Sequence, residues 1–527
     1  MKKVLISDPV DQQCSIVLKD AGIEFDFKTG LSPEELSGII KDYSGLIVRS
    51  ETKVTPELID KMEKMEVIGR AGTGVDNINL EAATRKGIIV MNTPGGNTIS
   101  TAEHTMALIL SMFRNIPQAN QSLREGKWER KKYKGTELFG KTIGLIGLGK
   151  VGREVARRAK SFDVEIIGYD PILSKDVADK LGIKLSSLDG IFKESDLITV
   201  HVPLSDETKY IINSESLKKC KDGIKIINCA RGGIINEIEL LAALNSGKVS
   251  SAAFDVYETE PPDASNELLN HPKVVCTPHL GASTEEAQIK VAIQIAEQIA
   301  ELFSGKTPTG IINASAIAAG SNKEISEYVK LGEILGSLSA QMLSGQLKQV
   351  NLNYSGEILH TSMNLLSTAV MKGFLSKTLT ENVNFINAPY FSKELGIGLN
   401  ETKSETDTDY KNSLKVEFIT EEGKKIIAGT VLGNAEIRII QVDEFHLEMK
   451  PEGNMIFYTN VDKPGVLAAV GKILADADIN IAGLSLGRLG IGKKALTVVS
   501  VDNTVDKSIL LSISQIKGVE NSLLAII

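Results

Sequence analysis

Three short segments carry side chains that could do acid–base and anion chemistry together. They are Asn228-Cys229-Ala230-Arg231-Gly232-Gly233, Asp255-Val256-Tyr257-Glu258-Thr259-Glu260-Pro261-Pro262 and Thr277-Pro278-His279-Leu280-Gly281-Ala282-Ser283. An arginine fork can hold a carboxylate through two parallel hydrogen bonds. A histidine whose ordinary pKa lies near neutrality can take a proton and return it. A neighbouring carboxylate stabilises the imidazolium and fixes the ring's orientation. Such a set suits removal of the hydroxyl proton of a 2-hydroxy acid, with His279 as proton acceptor and Arg231 on the carboxylate and developing carbonyl. Glu258 and Glu260 compete as the histidine's partner. Glu260 is favoured because it abuts Pro261, where the turn fixes its direction. Each residue also has a bland reading: Arg231 as a surface arginine in a glycine turn, Glu260 as a loop cap, His279 as a packed core histidine. Their common address, each just after an apolar run, outweighs it. His201 and His271 read as structural, and His104, on an apolar helical stretch, as packed.

The element that must position these segments runs from Thr142 to Asp170. The apolar run Thr142-Ile143-Gly144-Leu145-Ile146 reads as a buried parallel strand. It ends in Gly147-Leu148-Gly149-Lys150-Val151-Gly152, after which Val155, Ala156 and Ala159 recur at helical spacing. A second apolar run ends on Asp170. This is a βαβ unit with a G-x-G-x-x-G turn at the place a dinucleotide needs it. Gly147 permits the tight turn, Gly149 lacks the Cβ that would block a pyrophosphate, and Gly152 lets helix and strand approach. Free N–H groups at the helix start then face the anion. Asp170 can accept from a ribose diol and would repel a 2′-phosphate. Pro171 follows where an NADP-binder would often carry arginine, so NAD is the expected cofactor. Asp196–Val200, Ile224–Asn228, Ser250–Phe254 and Val274–Thr277 read as further strands of the same sheet, and their carboxyl ends open onto the ligand crevice.

A chain of 527 residues is too long for one core. Hydrophobic content of 42% and charged content of 24% are ordinary for a soluble protein. A net charge of −8 argues against a general nucleic-acid binder. The four cysteines, Cys14, Cys220, Cys229 and Cys276, form no CxxC pair, which points to a reducing compartment and no thiolate metal site. The first residues reach an acid too soon for a signal peptide, and no apolar stretch approaches a membrane span. A cytoplasmic protein is expected.

From Val4 to Met91 short apolar runs alternate with amphipathic stretches such as Pro33 to Lys41 and Pro56 to Lys64, which suggests a small α/β unit. Thr98 to Asn115 reads as a long apolar helix, buried between domains or subunits. A helix from Thr284 to Phe303 is placed to return to the first unit, which makes that unit discontinuous. Ile311 to Ser321, rich in Ala, Gly, Ser and Asn, reads as a linker. Beyond it helix Leu331 to Leu343 mixes with alternating strands (Gln349 to Tyr354, Leu414 to Thr420, Glu436 to Gln441), and Glu401 to Thr408 reads as a solvated loop. From Asn454 a compact βαββαβ pattern appears, with Ile479-Asn480-Ile481 as its second strand.

These motifs resemble the D-2-hydroxyacid dehydrogenase family, and within it the long, phosphoglycerate-oxidising branch. The resemblance spans essentially the whole chain. It rests on Gly69 to Ile78 (GRAGTGVDNI), on GLGKVG, NCARGG and Glu260-Pro261-Pro262, and on the PHLGAST segment that includes His279. It implies a Rossmann domain (98–282) inserted in a flavodoxin-like substrate domain (1–97 and 283–308), an α+β intervening domain (309–452) resembling an allosteric substrate-binding unit, and a ferredoxin-like ACT domain (453–527). It makes Arg231, Glu260 and His279 catalytic. It places cofactor contacts on Thr73, Lys150, Val151, Asp170, Val202, Cys229, Ala230, Arg231, Asp255, His279, Gly281 and Ala282. The substrate carboxylate would meet the backbone of Thr73-Gly74-Val75. A substrate phosphate would be approached by Arg49, at a strand end beside Ser50, and by Arg130 and Lys132 of the basic stretch Trp128 to Lys134, whose plainer reading is a solvated face. Asn460, Asp462 and Asn480 match the positions that bind a small amino acid between paired ACT domains. The implied activity is NAD-dependent oxidation of 3-phospho-D-glycerate to 3-phosphohydroxypyruvate, the first step of L-serine synthesis, by a homo-oligomer (dimer or tetramer) with serine as effector. The alternatives are a glyoxylate or hydroxypyruvate reductase on the same site, or an NAD-sensing corepressor-like protein.

Overall fold

The computed structural model describes residues 2–314, 323–405, 410–433 and 435–527. The first unit is a five-stranded sheet of β1 (Lys3–Ile6), β2 (Glu24–Phe27), β3 (Gly45–Val48), β4 (Val67–Arg70) and β5 (Ile89–Met91), in the order β2-β1-β3-β4-β5. All four pairings are parallel. β3 is buried at every position, as a strand covered on both faces must be, and so it reads as a continuous apolar run. The Glu285–Phe303 helix closes this unit, with Val291, Ile295 and Ile299 in one cluster with Val4, Ile6 and Val67.

The second unit holds β6 (Thr142–Ile146), β7 (Glu165–Tyr169), β8 (Lys184–Leu185), β9 (Leu197–Val200), β10 (Ile224–Asn228), β11 (Val249–Phe254) and β12 (Val274–Cys276). Their order, β12-β11-β10-β9-β6-β7-β8, reverses direction between β6 and β9, which is where a doubly wound sheet opens its crevice. The Thr98–Arg114 helix packs on this sheet, with Ala102, Met106, Ile109 and Phe113 in one core with Ile143, Leu145 and Ile227. It is buried within this domain, and the following Ile116–Arg124 helix leaves Ile116 and Leu123 exposed.

The third unit is a mixed sheet of β13 (Leu347–Ser355), β14 (Gly398–Ser404), β15 (Ser413–Thr420), β16 (Lys424–Leu432), β17 (Glu436–Val442) and β18 (Phe445–Met449), covered by the Lys323–Met342 and Met363–Thr378 helices. The last is an antiparallel sheet of β19 (Asn454–Val461), β20 (Ile481–Arg488), β21 (Lys494–Val501) and β22 (Val519–Ile526), with the Val466–Asp476 and Lys507–Ser514 helices. Its order β20-β21-β19-β22 is the expected ferredoxin-like arrangement. Phe457 and Val498 join the core of the third unit, so the two share one hydrophobic interior.

Four local expectations need correction. Glu401 to Ser404 belongs to β14, not to a loop. It is an exposed edge strand paired only with β13, so its polar residues carry no apolar period although the backbone ladder is satisfied. Asn480 precedes β20 instead of lying within a strand. The amphipathic stretch from Pro56 to Lys64 is helical only over Pro56–Asp60. The segment read as a linker starts too early. Ile312 N donates to the Val90 carbonyl (2.9 Å) and Asn313 bridges Ile88 O (2.9 Å) and Val90 N (2.8 Å), so residues up to Ala314 stay on the first sheet. The rest of that stretch, 315–321, lies outside the described residues, as do 406–408.

Candidate active site

Gly147 adopts φ 96°, and a Cβ there would meet the His201 carbonyl at 2.5 Å. A Cβ on Gly152 would sit 2.2 Å from the Gly147 carbonyl, whereas Gly149 faces open space. Two glycines thus serve close packing and one keeps a cradle clear above the start of the Lys150–Ala159 helix. Asp170 binds the turn to the second strand. Its Oδ2 accepts from Leu148 N (2.9 Å) and its Oδ1 from Ile172 N (2.9 Å) and Leu173 N (3.0 Å). Burial works to raise the Asp170 carboxyl, but those amides outweigh it and hold it below the usual range, so it stays anionic. These residues fit a dinucleotide with a free ribose diol. Asp170→Ala should weaken NAD and narrow its preference over NADP, read as the ratio of kcat/KM for the two cofactors. An unchanged ratio would remove Asp170 from cofactor choice.

A cavity of about 420 Å³ opens beyond this turn, between the first two units. Of the expected cofactor contacts, Thr73, Val151, Val202, Cys229, Ala230, Arg231, Asp255, His279, Gly281 and Ala282 line it, together with Gly74 and Val75 from the expected substrate loop. Lys150 does not; its Nζ donates to the Pro94 carbonyl (3.2 Å). Burial pushes the Cys229 thiol up to about 12, so it is a neutral wall and no nucleophile.

The chemistry-bearing groups converge on this cavity. His279 Nδ1 and Glu260 Oε2 are 2.7 Å apart, and the other Glu260 oxygen accepts from Tyr257 N (3.1 Å). Burial would raise the Glu260 carboxyl, yet the His279 ring and the Tyr257 amide hold it below its ordinary value. Glu258, the other candidate, faces elsewhere. Glu258 accepts from Glu237 N (3.0 Å) and from the Tyr210 hydroxyl (3.3 Å), which ties it to a helix start away from His279. With Nδ1 committed, Nε2 is the ring nitrogen left for a substrate. Arg231 donates from Nε to Asp76 Oδ2 (3.1 Å) and from Nη1 to the Ala230 carbonyl (2.7 Å). Its Nη2 lies only 2.1 Å from where a Cβ on Gly74 would be, so the guanidinium lies directly over the expected substrate loop and a side chain there would push it aside.

Arg49 stands at the end of β3, its Nη1 donating to the Pro9 carbonyl (3.3 Å), with Ser50 next to it. The reading from sequence missed Arg70. It ends the adjacent strand β4, in register with Val48, and its Nε is shut off from solvent without a partner among the described residues. Burial, reinforced by the charges of Arg231 and Arg49, lowers its pKa to about 10. A lone arginine closing a buried apolar run was the available signal.

Arg130 and Lys132 are not brought to the crevice of their own chain. The Thr98–Arg114 helix, 17 residues and about 25 Å long, separates them from it. Its first turn touches the crevice, where the Thr101 hydroxyl donates to the Gly281 carbonyl (3.1 Å). Its last turn meets the chain just after the basic segment, where Thr136 N donates to the Phe113 carbonyl (3.0 Å). Lys132 pairs instead with Glu129 (3.2 Å). The expected effector residues are also apart. Val461, beside Asp462, pairs with Lys494, and Ile481, beside Asn480, pairs with Val501. Those are opposite ends of β21, roughly 20 Å apart. Asp462 meets Arg488 Nη1 (3.3 Å), Asn480 donates to Asp502 (2.6 Å), and Asn460 keeps a buried, unpartnered Oδ1.

Known proteins share this fold. Residues 106–281 match the NAD binding domain of D-isomer specific 2-hydroxyacid dehydrogenases, which sets the class. Residues 324–443 match the D-3-phosphoglycerate dehydrogenase intervening domain and 454–518 the ACT domain. D-3-phosphoglycerate dehydrogenase of Methanocaldococcus jannaschii is 42% identical over 522 residues, covering 99% of both chains. That of a Synechocystis strain is 40% identical over 523 residues, covering 99% of this chain and 94% of its own. The chain belongs to the D-3-phosphoglycerate dehydrogenase family. Among solved structures, TT0316 protein from Thermus thermophilus covers 59% of this chain and 99% of its own, at 30% identity and a TM-score of 0.55. D-lactate dehydrogenase from Aquifex aeolicus, complexed with NAD and lactic acid, covers 58% of this chain and 96% of its own, at 27% identity and a TM-score of 0.52. No helix among the described residues is long and apolar enough to cross a membrane.

Proposed function

We propose that this chain oxidises 3-phospho-D-glycerate to 3-phosphohydroxypyruvate, the first step of L-serine synthesis. The observation that carries the reading is the meeting of His279–Glu260, Arg231 and the Gly74–Val75 loop in one crevice below the glycine turn. Gly149, the start of the following helix and Asp170 would hold NAD, which supplies the two-electron acceptor for C2. Arg231 and the backbone of Gly74 and Val75 hold the substrate carboxylate and so fix C2. Nε2 of His279 takes the hydroxyl proton. The anionic Glu260 opposite Nδ1 stabilises the resulting imidazolium and prevents the ring from turning. Arg49 and Arg70, side by side at the ends of β3 and β4, supply positive charge for a phosphate.

Arg130 and Lys132 can serve that phosphate only from a second copy. Ile99, Ile116, Leu123, Trp128 and Phe139 are all exposed on and around the two helices that carry this segment, an apolar strip suited to burial between two chains. The test of the activity is NADH formation with 3-phosphoglycerate, glycerate and lactate. We expect kcat/KM for the phosphorylated acid to exceed that for glycerate by about 100-fold, the worth of two charge-assisted contacts. Equal values would overturn the phosphate reading.

L-serine is the proposed effector, held at the ACT domain between two copies. A second copy's ACT domain set against this one in the opposite sense would bring Asn480 of one copy toward Asp462 of the other. β20 is the last strand of its own sheet and lies against β18, where the Ser485 hydroxyl donates to the Glu448 carbonyl (2.6 Å), while Ile481, Leu484 and Leu486 keep exposed apolar side chains that a second domain could cover. The buried Asn460 Oδ1 can accept from an ammonium group, and free N–H groups at the start of the Val466–Asp476 helix suit a carboxylate. A route to the active site exists. Asn384 and Asn387 of the third unit donate to Gly87 O (2.9 Å) and Arg85 O (3.3 Å), at the end of the Leu80–Lys86 helix that follows the substrate loop. Calorimetry should show serine binding to the full chain, with inhibition, and loss of both in Asp462→Ala and Asn480→Ala. Absence of heat and inhibition at millimolar serine would remove the effector. Equal inhibition after truncation near Pro451 would place the site elsewhere.

A further inference from the structure

We propose that His104 is a positioning residue for the proton acceptor: through the buried carboxylate of Asp255 it anchors the turn that carries His279 to the Thr98–Arg114 helix. The inference rests on the reading of His279 given above and adds to it what holds that residue in place. His279 adopts φ 54°, a left-handed conformation that a residue with a Cβ keeps only when its surroundings impose it. The surroundings are specific. Leu280 N donates to Asp255 Oδ1 (2.7 Å) and Gly281 N to Asp255 Oδ2 (2.8 Å), while the Thr277 hydroxyl donates to Oδ1 (2.7 Å). Asp255 itself is 1% exposed.

Three of the four donors on this carboxylate therefore come from the turn it organises. They tie the turn to Asp255 but do not fix Asp255 to anything else. The fourth donor is His104 Nε2, 3.1 Å from Oδ1, and it comes from a different element, a helix packed into the core of the dinucleotide domain. Nε2 also lies 3.1 Å from the Thr277 hydroxyl oxygen, which is left an acceptor because its proton points at Asp255. One ring N–H thus braces both residues. The same helix holds the turn from its other side through Thr101 and the Gly281 carbonyl. Glu260 acts on the far side of the turn, at Nδ1 of His279, and sets ring rotation. His104 and Asp255 set where the ring's backbone stands. Proton transfer demands both, because the acceptor nitrogen must come within hydrogen-bond reach of the substrate hydroxyl. The dinucleotide cradle at Gly147 to Gly152 and Asp170 lies outside this network, although Asp255 and Gly281 are themselves expected cofactor contacts, so loss of His104 should lower kcat more than cofactor affinity.

The competing reading is that His104 merely packs. The experiment separates them with full-length His104→Phe, which fills the space without a donor, and His104→Gln, which restores an N–H near Nε2. Steady-state kinetics, NADH titration by fluorescence and thermal melts are measured for both, with His279→Ala alongside. The expected result is a kcat lowered about tenfold or more in the Phe variant, NADH affinity within about threefold of the parent, and recovery of most of kcat in the Gln variant. Parent-like kcat in the Phe variant overturns the inference. So does equal loss in the Phe and Gln variants. Should the Phe variant lack a cooperative melt, His104→Leu takes its place with the same two readings. If His279→Ala itself keeps near-normal turnover, the fault lies with the assignment of His279. If His279→Ala is inactive while His104→Phe is unimpaired, only the role of His104 fails.

Discussion

His279→Ala should lower kcat by about 10²- to 10⁴-fold, the usual contribution of a positioned general acid–base group, while NAD still binds. The expectation follows from how the crevice is divided. The cradle for the dinucleotide is made by Gly147, Gly149, Gly152 and Asp170, none of which touches the imidazole. The imidazole is held by Glu260 on one ring nitrogen and leaves the other for the hydroxyl proton. Removing it takes away the proton acceptor and little else, so kcat and kcat/KM should fall together. Glu260→Gln should cost less than His279→Ala, because a neutral amide can still orient the ring but no longer stabilises its charged form. Stopped-flow mixing of enzyme, NAD and substrate separates chemistry from product release and gives the decisive rate. Near-normal turnover in His279→Ala would remove that residue from the mechanism. A Glu260→Gln defect as large as that of His279→Ala would mean that the charge, not the proton acceptor, dominates.

The sequence showed what depends on local pattern. The glycine turn and the closing Asp170 could be read because each position answers one steric or electrostatic demand, and all three chemical residues followed apolar runs that proved to be β10, β11 and β12. The partner of His279 could be chosen, though the reason visible in sequence was only Pro261. The structure supplies the stronger one: Glu258 is consumed at the start of another helix. What could not be read is what depends on distance in space. Arg70 looked like the last residue of a strand, and nothing local reveals that its Nε ends without a partner among Arg49, Arg231 and Asp76. His104 sits on an apolar helix, and only the fold brings it to Asp255. β14 escaped because an exposed edge strand has no buried face to impose alternation. The separation of Asp462 from Asn480, and of Arg130 from the crevice, is likewise invisible along the chain. Under the function proposed above, both would have to act from a second copy.

Arg49→Ala and Arg70→Met should each lower kcat/KM for 3-phosphoglycerate by about 10- to 100-fold, since a phosphate dianion that loses a charged donor loses on the order of 1.5–3 kcal/mol. The same changes should alter kcat/KM for glycerate little, because the carboxylate and hydroxyl ends of both acids meet Arg231, Gly74 and His279. Arg70 makes the sharper case. Its guanidinium is largely desolvated, stands near two other arginines with Asp76 and Asp8 as the opposing charges, and carries an Nε with no acceptor among the described residues. Such a group costs the folded protein free energy unless an anion joins it. Arg70→Met keeps the apolar stem and deletes the charge. It should therefore leave the thermal midpoint unchanged or raise it while it impairs the phosphorylated substrate. A residue kept for stability would show the opposite: a lowered midpoint and equal losses with both acids. Inorganic phosphate gives an independent readout. It should raise the melting temperature of the parent enzyme, which binds an anion in its folded state alone, and do so less in either variant. If phosphate shifts all three alike, and both acids lose equally, neither arginine reads the phosphate and the positive charge at the ends of β3 and β4 serves the fold.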